Sequence, residues 1–209
     1  MKSELTDTWL RWYWGTEDKV EPQIRKAAGL FAEKQVTNIL DLGCGTGRNS
    51  LFLAKKGFEV YAFDQSRNAI KRAKELAKKE NLKLKIRAWD MTHFPYPYPS
   101  SYFSAVLSTK VIHHATIGNI RRIASEISRM TKKGGYIFLE VASTIELENI
   151  TNESFKKLGE RTIVFLDGNE RGIVHHYFTK QELRAMFPKF KVLELGTQEE
   201  HYFLTAVKI

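Results

Sequence analysis

The residues best placed to do chemistry stand in one short stretch, Asp41-Leu42-Gly43-Cys44-Gly45-Thr46-Gly47-Arg48-Asn49. Three glycines at alternate positions allow a tight turn and let a ligand approach the main chain. The stretch follows an apolar run, Val36–Leu42, and opens a helix through Leu51-Phe52-Leu53-Ala54. A turn at the carboxyl end of a strand, beside the free N–H groups of a helix start, suits a carboxylate or phosphate. A second acid, Asp64, ends the next apolar run, 21 residues after Gly43. At that spacing a carboxylate can accept hydrogen bonds from both hydroxyls of a ribose.

The glycine spacing narrows the ligand. A dinucleotide fingerprint reads G-x-G-x-x-G, whereas Gly43, Gly45 and Gly47 are spaced G-x-G-x-G, with Arg48 in sixth place. Asp41, two residues before the first glycine, offers a carboxylate to an ammonium group, which a pyrophosphate cofactor lacks. The expected ligand carries a ribose and an amino acid, and S-adenosylmethionine meets both conditions. The same spacing disfavours a nicotinamide oxidoreductase.

On these residues the chain resembles the class I S-adenosylmethionine-dependent methyltransferases, in particular the small type similar to quinone-biosynthesis and tellurite-resistance enzymes. The resemblance implies that Asp41, Gly43, Cys44, Gly45, Gly47 and Asn49 surround the methionyl end of the cofactor. Asp64, with Gln65, is implied to hold the ribose, Asp90-Met91 to flank adenine, and Ser108 to meet the methionine amino group through its main chain. Lys132-Lys133-Gly134-Gly135 is similar to the family's turn before strand five, with Lys133 where proline is usual. Many members carry Asp where Ser104 stands, so that position inherits no acidic role. Cys44 is read as a small, unreactive residue of the turn.

Val111-Ile112-His113-His114 is similar to an apolar–His–His element of the small-molecule enzymes. Methyl transfer from a sulfonium is an in-line displacement that needs alignment and only sometimes a base. His113 and His114 are the catalytic candidates, able to orient or deprotonate an acceptor. Tyr13 and Trp14, near the start of the chain, are expected to touch the acceptor together with His113 and His176. His175-His176 and His201 bring five of the six histidines towards the expected site. The HH pairs lack the i, i+4 spacing of familiar helical metal sites, so no metal is assigned.

These residues need a scaffold, and strand–helix alternation supplies one. Leu5, Trp9 and Trp12 repeat at helical spacing, as do Val20, Ile24, Ala27 and Phe31 after Pro22. Phe58–Asp64, Leu84–Ala88, Phe103–Ser108 and Tyr136–Val141 read as further strands, and Lys191–Leu195 with Tyr202–Lys208 as a closing hairpin. Ser66 and Thr179 are expected helix caps. The class is α/β, a Rossmann-like three-layer sandwich. The family order of its seven strands would be 3-2-1-4-5-7-6, with strand seven antiparallel. A single domain over 1–209 is expected, with residues 1–33 as a helical lid and 142–178 as a substrate-side insertion. Phe94–Pro99 must be an extended loop whose Tyr96 and Tyr98 either line the pocket or lie exposed.

Composition sets the outer bounds. The chain has 209 residues, 43% apolar and 27% charged, with a single cysteine and a net charge of +9. That is enough to bury a sizeable core without a metal or disulfide staple. No leader and no apolar run of membrane length is seen, so the expected setting is the cytoplasm, with no membrane and no obligate protein partner. A local +7 falls within residues 67–87, while 136–170 carry −4. A polyanion would have to pass that acidic segment, so a small-molecule acceptor is favoured over RNA. A tRNA-modifying methyltransferase and a non-catalytic S-adenosylmethionine-binding protein remain as alternatives.

Overall fold

The computed structural model describes residues 19–150 and 154–209. The first expected helix, with Tyr13 and Trp14, lies outside them. Among the described residues, strands β1 (Asn38–Leu42), β2 (Glu59–Asp64), β3 (Leu84–Ala88), β4 (Phe103–Thr109), β5 (Thr131–Ala142), β9 (Phe190–Gln198) and β10 (His201–Lys208) form one sheet. Its order is β3-β2-β1-β4-β5-β10-β9. The first five run parallel, and β10 pairs antiparallel with both β5 and β9. Once the strands of a second, smaller sheet are set aside, this is the expected order 3-2-1-4-5-7-6.

Successive residues of a strand face opposite sides of a sheet, and two cores follow from that rule. Leu40, Leu42 and Val106 join one core with Ile120, Ile123 and Ile127 of helix α4 (Ile117–Met130). Ile39, Ala105 and Leu107 join the other with Ile24 and Phe31 of α1 (Pro22–Glu33) and Leu53 of α2 (Arg48–Lys55). Helix α3 (Arg67–Lys79) starts at Ser66, whose Oγ accepts the Ala69 N–H at 3.1 Å. Strand β3 is the outer strand, with Lys85 and Arg87 exposed. Helix α6 (Lys180–Ala185) starts where Thr179 Oγ1 accepts the Glu182 N–H at 3.1 Å.

Two expectations need correction. Tyr96 and Tyr98 neither line the cleft nor lie exposed. Both are buried, packing edge-on against Phe63 and Phe103 at 5.2 and 5.0 Å between ring centroids. In an extended loop, residues two apart face the same side, and here that side is the core. Arg129 of α4 binds the carbonyls of Tyr96 and Tyr98 at 3.2 and 2.8 Å and holds the loop down. The second correction concerns strand five, which begins at Thr131 opposite Phe103; the next pair is Ala105 with Tyr136. Lys132–Gly135 are therefore a bulge within β5 rather than a turn ahead of it.

Residues 142–178, which show weak periodicity, hold α5 (Thr144–Glu148) and an antiparallel sheet β6-β7-β8 of Phe155–Gly159, Thr162–Phe165 and Val174–His176. Strands this short carry too few side chains to show a period. Ile163, Phe165 and Tyr177 bury a small core of their own against Ala142. The chain rejoins β5 where the Phe178 N–H donates to the Ala142 carbonyl at 2.9 Å.

Candidate functional site

Strands β1, β2 and β4 are neighbours and end at the same edge, so their loops meet there. Gly43, Gly45 and Gly47 have φ of +75°, +53° and +91°, the left-handed region in which a side chain is strained. Space is a second constraint at Gly43, where a Cβ would come within 2.4 Å of Val111 Cγ1 in the loop after β4. Asp64 pins the glycine loop to β2. Its Oδ2 accepts the Gly45 N–H at 2.9 Å and its Oδ1 the Ser66 N–H at 2.8 Å. Burial raises its pKa, and those two donors partly offset the rise.

Between these loops lies a cleft with about 950 Å³ of empty space, open solvent at its mouth included. Gly43, Cys44, Gly45, Asp64 and Gln65 form its floor, and Phe63, Trp89 and Met91 one apolar wall. Asn49, Thr109, Lys110 and His114 line the other end. The Asn49 amide donates Nδ2–H to Thr109 Oγ1 at 2.9 Å, while its buried Oδ1 has no hydrogen-bond partner among the described residues. Burial pushes the Cys44 thiol well above its usual range, which fits an unreactive turn residue.

Four of the expected cofactor residues, Asp41, Gly47, Asp90 and Ser108, are not among those lining the cleft. Asp41 is 1% exposed, accepts Ser50 Oγ–H at 2.6 Å, and is raised by burial to a pKa of about 6. Gly47 caps α2 in close contact with Ala73, 3.0 Å from where its Cβ would lie. Asp90 accepts both the N–H and the Oγ–H of Thr92 through Oδ1, and Ser108 is buried with its Oγ–H on the Leu42 carbonyl at 3.0 Å.

Charged residues that sequence reasoning did not assign gather at the Lys110 end. Lys110, at φ +58°, places Nζ 3.0 Å from Glu21 Oε1 and 3.5 Å from Glu140 Oε1. Arg48 Nη2 lies 3.8 Å from the same Glu21 oxygen, so it faces the cleft rather than bulk solvent. Glu140 is 2% exposed, and burial pushes its pKa up to about 7. An acid next to the end of the apolar run Tyr136–Val141 was the signal available for it.

The histidines divide into two groups. The rings of His113 and His114 are 4.0 Å apart, His114 and His175 4.5 Å, and His113 and His201 6.1 Å. Burial lowers the pKa of each, His175 and His201 to about 4, so all four are neutral at pH 7. His176, expected at the acceptor, points elsewhere. Its Nδ1 lies 2.8 Å from Thr162 Oγ1 and its Nε2 3.2 Å from Glu182 Oε2. Neighbours alternate sides along β8, so His175 takes the place beside His113 and His114.

Comparison with known proteins bears on the family and the fold. Residues 39–135 match the family described as a methyltransferase domain. The chain is 30% identical over 162 residues to the uncharacterized methyltransferase YodH of Bacillus subtilis, covering 77% of this chain and 67% of YodH. It is also 30% identical over 108 residues to TehB of Haemophilus influenzae, a probable S-adenosyl-L-methionine-dependent methyltransferase. That match covers 52% of this chain and 37% of TehB, so it spans little more than a third of that relative. Among solved structures, the PH0226 protein of Pyrococcus horikoshii superposes with a TM-score of 0.73 at 20% identity, over 95% of this chain and 99% of that one. The glycine loop, the pinned Asp64 and these likenesses together make the chain a member of the class I S-adenosylmethionine-dependent methyltransferases.

Proposed function

We propose that the protein transfers the methyl group of S-adenosylmethionine to a small molecule held between the cleft and the β6–β8 sheet. The carrying observation is the cleft itself, which offers a half-buried, anchored carboxylate at Asp64, an apolar wall beyond it and His114 at the opposite end. The residues fit the cofactor. Asp64 spends one lone pair per oxygen on backbone donors and has others to accept ribose hydroxyls. The buried Asn49 Oδ1 is an acceptor suited to an ammonium group. Phe63, Trp89 and Met91 give a flat base an apolar bed. Behind the loop, Asp41 supports the methionyl end through Ser50 and through its negative charge.

When bound, the cofactor supplies an electrophilic methyl; the chain aligns the acceptor and excludes water. His114, on the cleft wall and neutral, can take a proton from an acceptor, and His113 packs behind it. Residues 142–178, which carry the second sheet, form the acceptor-side cover. A cytoplasmic setting goes with a chain whose single cysteine leaves no disulfide framework; separately, no helix among the described residues is long and apolar enough to cross a membrane. Calorimetric titration tests the cofactor half of this reading. S-adenosylhomocysteine should bind and NAD should not, and the reverse result would overturn it.

A further inference from the structure

We propose that His113, His114 and His175 hold one divalent transition-metal ion at the end of the cleft. Each ring offers a nitrogen, and the three nitrogens lie within 4.8 Å of one another. They come from two distant parts of the chain. The loop after β4 brings the first pair, and β8 of the second sheet lays His175 over it, secured where the His176 N–H donates to the His113 carbonyl at 2.8 Å. His113 is 3% exposed and His175 2%, while the half-buried His114 keeps one side on the cleft.

Such an arrangement leaves lone pairs unmet. His175 Nδ1 is buried without a hydrogen-bond partner among the described residues. At the other nitrogen of that ring, Nε2, the Glu170 carboxylate stands 3.2 Å away, where it can orient a ligating imidazole. A hydrogen bond to the Lys110 backbone engages one nitrogen of His114 and thereby places a lone pair on the other. His113 differs, because its Nδ1 accepts the Ala142 N–H at 3.0 Å. In the neutral ring the proton then sits on Nε2, so a bound ion takes His113 through Nδ1 in place of the Ala142 N–H, with a turn of the ring. His201, whose ring lies 6.1 Å from that of His113, and Glu146, 3.6 Å from His201, add further acceptors nearby.

Neutral imidazoles suit zinc, iron, nickel or copper rather than magnesium or calcium. Three protein ligands leave a tetrahedral ion one open position, for solvent or an acceptor atom. His114 also lines the cleft, so the site and the cleft share that residue.

The test uses the full chain, freed of metal by a chelator and dialysed. Zn²⁺ is titrated by calorimetry, and Co²⁺ is followed by visible absorption. About one ion per chain should bind, with cobalt bands of nitrogen ligation. His175→Ala and His114→Gln should each weaken binding by at least roughly tenfold. Circular dichroism checks that each variant is folded, and the half-buried His114 is the safer site should the His175 variant fail to fold. Absence of binding at millimolar Zn²⁺, or undiminished binding in folded variants, would overturn the site. An S-adenosylhomocysteine titration of the same samples keeps the two readings apart, because cofactor binding without zinc binding removes only the metal site.

Discussion

Burial acts in one direction on Asp41 and Asp64, raising both pKa values, yet the two carboxylates are held differently. Asp64 has two backbone N–H donors and a side open to the cleft, so its replacement is read in ligand binding. Asp64→Asn should weaken S-adenosylhomocysteine binding by roughly 1–3 kcal/mol in calorimetry, the worth of hydrogen bonds to a charged acceptor. Asp41 is sealed in, and its replacement is read in stability. Its folded pKa of about 6 lies above the usual 3.8, so the folded state binds more protons between those values. Stability from this group therefore falls as pH rises from about 4 to about 6 and stays lower above that. A shift of about two pH units corresponds to about 3 kcal/mol. Relative to the parent chain, Asp41→Asn should gain stability between pH 4 and pH 8, read as urea midpoints at each pH. A constant difference across that range would contradict the buried, desolvated carboxylate.

At the scale of elements, the site depends on loops that grip one another. Gly43 touches Val111, so the loop after β1 and the loop carrying the histidines share one packing contact. Gly43→Ala meets both a left-handed φ and a 2.4 Å clash. It should cost roughly 2–4 kcal/mol in urea unfolding and should also abolish cofactor binding; retention of both would show that the loop has slack. Much of this level was legible in the sequence. Period-2 and period-3.6 patterns marked the strands and helices, and Asp41, the glycines and Asp64 marked the cofactor loop. The second sheet was not, because its strands are three to five residues long and are stabilised by Ala142 and Tyr177 rather than by their own pattern. Tyr96 and Tyr98 were misjudged because their burial depends on Arg129, about 30 residues away. The choice of His175 over His176 depends on the register of β8, which spacing alone does not supply.

Across the whole molecule, charge and fold divide the surface. The basic stretch 67–87 occupies α3 and the outer strand β3, where exposed Lys85 and Arg87 also guard an open sheet edge. The acidic segment 136–170 runs through β5 and the second sheet, beside the histidines. This distribution favours a small acceptor over a polyanion at the cleft, although the molecule is basic as a whole. Any tRNA binding should fall steeply with salt, as expected of contacts made only by surface lysines and arginines. The central claim is methyl transfer to a small molecule through this cleft. Its most direct test is incubation with S-adenosylmethionine tritiated in the methyl group, in the presence of a small-molecule extract or of total RNA. The account predicts label in the small-molecule fraction, reduced in the Asp64→Asn chain at limiting S-adenosylmethionine. Label confined to RNA, or no label in either fraction, would contradict it.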